Sequence, residues 1–184
     1  MSTAGDDRPG ATGGVSSAEA KRRTRRIRVM LVVALVVAAA DQVTKSLAVA
    51  RLSSGSVHLI GPFALVLSYN TGVAFSIGAG LTLPIVVIIV VVVAMVAWTG
   101  RAVPNTAAAV GVGMILGGAV GNLADRIFRG HHGAVIDFLY SGYWPTFNLA
   151  DSSIVCGSVL LAIVLWRTTV TRRPPRTTGV SRDE

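Results

Sequence analysis

The chain has 184 residues, of which 52% are hydrophobic and only 14% charged, against about 25% charged in soluble domains. That composition, with a mean hydropathy of +0.62, excludes an ordinary soluble enzyme and implies one compact integral membrane domain. The formal net charge of +8 comes from basic clusters beside apolar runs, without the aromatic or motif pattern of a nucleic-acid binder, so no nucleic-acid partner is expected.

Residues 1–27 begin rich in Gly, Ser, Ala and Asp and end on a basic run from Lys21. They read as a disordered, basic cytoplasmic tail. A first span is expected over 29–50. It is apolar to Ala40 and then carries Asp41, Gln42, Thr44, Lys45 and Ser46. A cleavable signal peptide ending at Ala38, Ala39 and Ala40 is the rival reading. It is disfavoured because apolar character resumes at Leu47 and three further spans follow.

Residues 52–80 alternate in part, with Phe63, Leu65, Leu67 and Tyr69 on one face and turn residues at Asn70, Thr71 and Gly72. They predict a small sheet or hairpin on the membrane surface. A second span is expected over 83–98, with Thr82 as N-cap and Pro84 in the first turn. Its Val/Ile run would favour a strand in water, but in lipid a lone strand cannot satisfy its backbone. A third span covers 104–122, where Gly113, Gly117 and Gly121 form a small-residue packing face. Residues 125–150 read as an outer loop, with Phe138, Tyr140, Tyr143, Trp144 and Phe147 as an interfacial belt. A fourth span covers 152–169, and 170–184 form a cytoplasmic tail. The single Cys156 allows no intramolecular disulfide and reads as a small buried hydrophobe.

Each span approaches or reaches the roughly 20 residues needed to cross a bilayer core. The expected fold is therefore an all-α membrane domain over 28–169, with four transmembrane helices and a small extracytoplasmic β element. Four spans put both termini on one side. That side carries eleven Lys/Arg flanking the spans and the other four, so the termini are expected in the cytoplasm.

Between Glu19 and Asp183 only four carboxylates occur: Asp41, Asp125, Asp137 and Asp151. Charged groups cost about 2.5–3.5 kcal/mol at a bilayer centre on insertion scales, and the topology gathers all four at the outer face. Asp41 and Lys45, spaced i,i+4, can pair. A Ser/Lys scheme using Lys45 with Ser46 or Ser68 is opposed by Asp41, which would keep the lysine protonated. Asn122 and Arg126 lie one turn apart, and Arg126 can hold Asp125 or nearby backbone. Asn148 is a candidate N-cap with Asp151 three residues on, where a negative charge is favoured. Asp137 sits among Val135, Ile136, Phe138 and Leu139, a setting that raises its pKa. Two carboxylates driven apart in this way suit acid–base work at one site. His131 and His132 with Asp137 would be a metal set, but adjacent histidines diverge and no metal is expected.

The stretches 41–45 (DQVTK), 70–75 (NTGVAF), 117–126 (GGAVGNLADR), 135–138 (VIDF) and 147–152 (FNLADS) together resemble the bacterial lipoprotein signal peptidases (signal peptidase II). The resemblance covers about 29–167. It implies an aspartic endopeptidase of the bacterial cytoplasmic membrane, working at its extracytoplasmic face. Such an enzyme removes the signal peptide of prolipoproteins just before a diacylglyceryl-modified cysteine. It implies Asp137 and Asp151 as the catalytic pair, with Asp41, Lys45, Asn70, Asn122, Arg126 and Asn148 around them. Asp125, beside Arg126, is expected to support the same site. No cofactor is implied, and the partners are the prolipoprotein substrates and membrane lipids, with the enzyme itself expected as a monomer. The alternative class is a small proton-coupled transporter, which would more often place its acids near the midplane and show internal repeats.

Overall fold

The computed structural model describes residues 12–71, 90, 94, 96, 98 and 102–171. Its elements run α1 (Thr12–Leu52), β1 (Val57–Ile60), β2 (Phe63–Asn70), α2 (Thr106–Phe128), β3 (Val135–Tyr140) and α3 (Leu149–Thr171). Among the described residues, three helices are long and apolar enough to cross a membrane: Ser17–Leu52, Thr106–Phe128 and Leu149–Val170. Residues 90, 94, 96 and 98 are helical. Most of the span expected over 83–98 lies outside the described residues, as do 72–80 and the tail from 172.

The first helix begins well before the expected 29. Residues 12–27, read from sequence as part of a disordered tail, form its opening turns. Ala18, Glu19, Ala20, Lys21 and the arginines are good helix formers, so the helix extends through the basic run. Arg26 ties this end down, because its Nη1 donates to the carbonyls of Val103 and Pro104 at 2.8 Å each.

Helix α2 lies between the other two, and its glycines are the reason. On one face, Cβ atoms added at Gly113 and Gly117 would stand 2.7 Å from Met30 O and 2.6 Å from Ala34 O of α1. On another, a Cβ at Gly111 would stand 2.9 Å from Gly157 O of α3. The stripe at 113, 117 and 121 was visible as a period of four, whereas the second face, at 111 and 118, was not singled out. Asn105 caps α2 by accepting from Ala108 N at 2.9 Å. The helix continues to Phe128, past the expected end at 122, and stops where Gly130 adopts φ 66. Asp125 and Arg126, expected in a loop, are therefore helical.

The β element is a three-stranded antiparallel sheet in the order β1-β2-β3. Its third strand falls inside the segment read as a loop. Val135 to Phe138 are buried in succession, so β3 shows no polar alternation that could have revealed it. Leu65 and Leu67 of β2 pack with Ala48, Leu52 and Phe138, and this cluster fastens the sheet to the end of α1. Phe63 and Tyr69, expected on that same face, are 49% and 43% exposed.

Outward faces of α1 and α3 are apolar, with Leu35 71% and Trp166 73% exposed. Contiguous apolar surface of this kind suits lipid and not water. Cys156 is exposed on α3, contrary to its expected burial. A side chain facing lipid needs no protein cover to stay out of water.

Candidate active site

The four carboxylates come from three helices and one strand and meet at one end of the helices. Lys45 is the centre of the first half of the cluster. Its ammonium lies 2.8 Å from Asp41 Oδ2 and 2.8 Å from Asp125 Oδ2, and donates to Asn122 Oδ1 at 2.9 Å. Lys45, Asp41 and Asp125 are each 0% exposed. Three acceptors match the three N–H donors of an ammonium, so Lys45 has no lone pair and no donor left for Ser46 or Ser68. Ser46 instead donates to Gln42 O. The Ser/Lys scheme is incompatible with this arrangement.

Each buried carboxylate is also bound to backbone from another element. Asp41 Oδ1 accepts from Ala150 N at 2.9 Å, joining α1 to the start of α3. Asp125 Oδ2 accepts from Ile136 N at 3.0 Å, joining α2 to β3. The second oxygen of Asp125 accepts from Gln42 Nε2 at 2.9 Å and pairs with Arg129 Nε at 3.1 Å. The local charge is thus two carboxylates against Lys45 and Arg129, which offsets the cost of burying any of them alone.

Of the two expected partners of Arg126, Asp125 or nearby backbone, it takes the backbone, and Asp125 is held instead by Gln42 and Arg129, which the sequence did not point to. Arg126 reaches backbone, donating from Nη1 to Gly133 O at 2.9 Å and Thr71 O at 3.4 Å. Arg129 is four residues from Asp125, one helical turn away. That relation was hidden by ending the helix at 122. Gln42 carries a signal of the same kind as its neighbour Asp41, a polar side chain in apolar surroundings late in the first span.

The second half of the cluster holds Asp137 and Asp151. Asn148 Nδ2 donates to Asp137 Oδ1 at 2.7 Å, and Asn148 Oδ1 accepts from Asp151 N at 2.9 Å. Asn148 N donates to Asp151 Oδ2 at 3.2 Å, completing the reciprocal cap expected for α3. Asp151 Oδ1 accepts from Asn122 Nδ2 at 2.8 Å. Asn70 Nδ2 donates to the other oxygen of Asp137 at 3.1 Å. β2 and β3 bring that pair together, with Ser68 opposite Asp137 and Asn70 opposite Val135 in the register.

Burial raises the Asp137 carboxyl from its ordinary 3.8 to about 6. The amides of Asn70 and Asn148 and the charge of Lys45 oppose the rise, while the negative charge of Asp151 adds to it. Asp151 also opens outward, because it lines a groove of about 380 Å³ with Trp144, Phe147, Ser152, Val155 and Cys156. His131, considered as a metal ligand, stacks on Tyr69 with ring centroids 4.7 Å apart. The cluster therefore offers two differently held carboxylates, Asp137 buried and Asp151 at an apolar groove, groups suited to acid and base work.

Comparison with known proteins adds independent findings. Residues 33–167 match the family model described as signal peptidase (SPase) II. The lipoprotein signal peptidase of Mycobacterium leprae (strain Br4923) is 45% identical over 155 residues, covering 82% of this chain and 77% of that protein. That of Mycobacterium avium (strain 104) is 46% identical over 154 residues, covering 81% and 85%. A bacterial membrane enzyme solved by the in meso method at 1.9 Å superposes with a TM-score of 0.67 at 28% identity, covering 74% of this chain and 91% of that one.

Proposed function

We propose, from the premise that this chain belongs to the signal peptidase II family, that it removes signal peptides from prolipoproteins by aspartic chemistry at Asp137 and Asp151. The cut falls immediately before a diacylglyceryl-modified cysteine. The observation that carries the assignment is the position of Asn148, one side chain bonded to Asp137 and to the backbone of Asp151.

In the proposed cycle the pair holds one proton, since adjacent carboxylates do not both ionise cheaply. The ionised member takes a proton from water as that water attacks the scissile carbonyl. The protonated member donates to the carbonyl oxygen, and collapse of the tetrahedral intermediate returns a proton to the leaving amine. Asp137, raised to about 6, suits the protonated role. Asp151, at the N-terminus of a 23-residue helix, suits the ionised one. Asn70, Asn122 and Asn148 orient the carboxylates. Asp41, Lys45, Asp125 and Arg126 hold the surrounding elements in register.

The remaining architecture follows from the charge asymmetry. With the span expected over 83–98 counted as the fourth, we place both termini in the cytoplasm and the dyad at the outer face of the cytoplasmic membrane, and we take the monomer as the working unit. The apolar groove beside Asp151 takes part of the substrate while its acyl chains remain in lipid. No feature of the site favours the transporter alternative, because the acids are collected at one end of the helices.

The decisive assay incubates purified protein with a diacylglyceryl-modified precursor peptide and sequences the product. A new N-terminal modified cysteine is expected. Cleavage elsewhere, or unchanged cleavage by Asp137→Asn or Asp151→Asn, would overturn the assignment.

A further inference from the structure

At the opposite end of α1 from the carboxylates lies a second charged cluster. Arg22, Arg25 and Arg26, spaced i, i+3 and i+4, share one helix face. With Glu19, Asn105 and Thr106 they line a cavity of about 540 Å³ between α1 and the start of α2. That volume is in the range of small-molecule sites.

The charges in this cavity are not balanced by the protein around it. Arg22 lies one turn from both Arg25 and Arg26, and like charges at that spacing repel. The N-terminus of the 23-residue α2 adds its own partial positive charge. Asn105 satisfies Ala108 N, which leaves the N–H groups of Thr106 and Ala107 outside the intrahelical ladder. Among the described residues neither Arg22 nor Arg25 forms an ion pair, and Glu19 is the only carboxylate lining the cavity. Arg26 Nε is buried with no hydrogen-bond partner among the described residues. Arg26 Nη1 is committed to Val103 O and Pro104 O, so this side chain braces the cavity wall.

Position identifies the class of ligand. The cavity lies where α1 turns from basic to apolar, and within two turns the helix exposes Leu31, Val32 and Leu35. An anion held here by its oxygens has apolar helix surface immediately beyond it. We infer that this cavity binds a phosphate-bearing anion, the phosphodiester headgroup of an anionic membrane lipid, with Arg22 and Arg25 as its contacts. Arginine suits that role because its planar donors match phosphate oxygens in pairs. The inference does not depend on the peptidase reading, and its test does not measure cleavage.

The test is thermal unfolding of the purified full chain in dodecyl maltoside micelles during titration with short-chain phosphatidylglycerol. A rise in Tm of at least about 3 °C is expected near saturation, because a ligand bound only by the folded state stabilises it. Phosphatidylcholine of equal chain length should give a clearly smaller rise. Arg22→Gln/Arg25→Gln, which leaves Arg26 in place, should lose the difference between the two lipids. Native mass spectrometry supplies a readout that survives a poorly folding variant, since the wild-type chain should retain phosphatidylglycerol in preference to phosphatidylcholine. Equal responses to both lipids in the wild type, or an unchanged phosphatidylglycerol response in the double variant, would overturn the site. Inorganic phosphate reproducing the full rise would assign the cavity to a free anion and overturn the lipid as its occupant.

Discussion

Asn148 donates its amide to the Asn122 amide oxygen at 3.1 Å, and this contact sets which way both amides face. Asn122 Oδ1 also accepts from Lys45, so its Nδ2 is directed at Asp151. Asn148 uses its Nδ2 on Asp137 as well. The two asparagines thus present one donor to each carboxylate of the pair, and Lys45 anchors the chain from below.

Asp137→Asn and Asp151→Asn should each lower kcat by at least about 10³-fold, the upper part of the range for a lost acid or base. Both proteins should insert and unfold cooperatively. Each should also lower Tm, because one amide oxygen cannot replace two accepting carboxylate oxygens: those of Asp151 accept from Asn122 Nδ2 and Asn148 N, and those of Asp137 from Asn148 Nδ2 and Asn70 Nδ2. Product release from a lipid-modified peptide, followed together with thermal unfolding, checks both statements.

Asn148 combines a helix cap with the positioning of the pair, and these roles can be separated. Asn148→Ala should lose about 1 kcal/mol of stability with the cap, and most of its activity with the lost contacts. Asn148→Asp keeps an acceptor for Asp151 N, so stability should largely return. Activity should not, because a third carboxylate would face Asp137 where an amide donor stood. Recovery of cleavage by the aspartate variant would show that the cap alone matters.

Lys45→Met should be a folding defect first. It leaves Asp41 and Asp125 buried without their shared cation, a change that costs roughly 3–5 kcal/mol when one partner of a buried pair is removed. Arg129 still holds one oxygen of Asp125, so the loss should fall mainly on Asp41. Lys45→Met combined with Asp41→Asn should therefore recover part of the membrane-inserted yield. A Lys45→Met protein with wild-type Tm and no activity would restore a direct chemical role for the lysine.

The raised Asp137 pKa predicts two pH dependences. In the unfolded chain Asp137 loses its proton near 3.8, and in the folded protein near 6. Between those values the folded state binds more protons, so this group's contribution to stability is full below the lower value and is lost as pH rises through about 6. Asp137→Asn removes the ionising group, and its Tm should fall less than that of the wild type between pH 4 and pH 7. For catalysis, kcat/KM should decline above about 6 as Asp137 loses its proton. A flat kcat/KM profile from pH 5 to pH 8 would contradict both the shift and the shared proton.

Gly121→Ala should weaken the site although it replaces none of its ionisable groups. A Cβ there would stand 2.6 Å from Asp41 Oδ2, and the carboxylate cannot retreat without releasing Lys45 and Ala150 N. A loss of about 1–3 kcal/mol is expected from overpacking, read by thermal unfolding. Gly130→Ala is the control, because its Cβ would meet nothing within 4 Å although its φ of +66 adds local strain.

Much of the site was legible because polar groups in a greasy chain are few and expensive to bury. Asp41, Asp125, Asp137 and Asp151 stand out on that ground alone, and Lys45 as one of two lysines; Asn122 and Asn148 stand out only by their spacing to Arg126 and Asp151. The cap formed by Asn148 and Asp151 was readable from three-residue spacing, and the Asp41–Lys45 pair from four-residue spacing, since both are set by the geometry of a single helix. β3 was not readable, because a strand buried in succession has no alternating pattern. Arg129 was not readable as the partner of Asp125 because the helix carrying both was ended too early. The helical state of 12–27 is not legible from composition, because residues 1–20 form one polar segment without apolar periodicity.

Composition, periodicity and local spacing determined that this chain is a membrane protein with helices of bilayer length, and that its rare carboxylates gather toward one end. Only the tertiary structure decided which donor meets which oxygen: Asn70 on Asp137, Arg129 rather than Arg126 on Asp125, and the Ala150 amide on Asp41. The physical reason is range. Hydropathy and helical spacing act within about one turn of chain, whereas these bonds join residues that only packing of α1, α2, α3 and the sheet brings together.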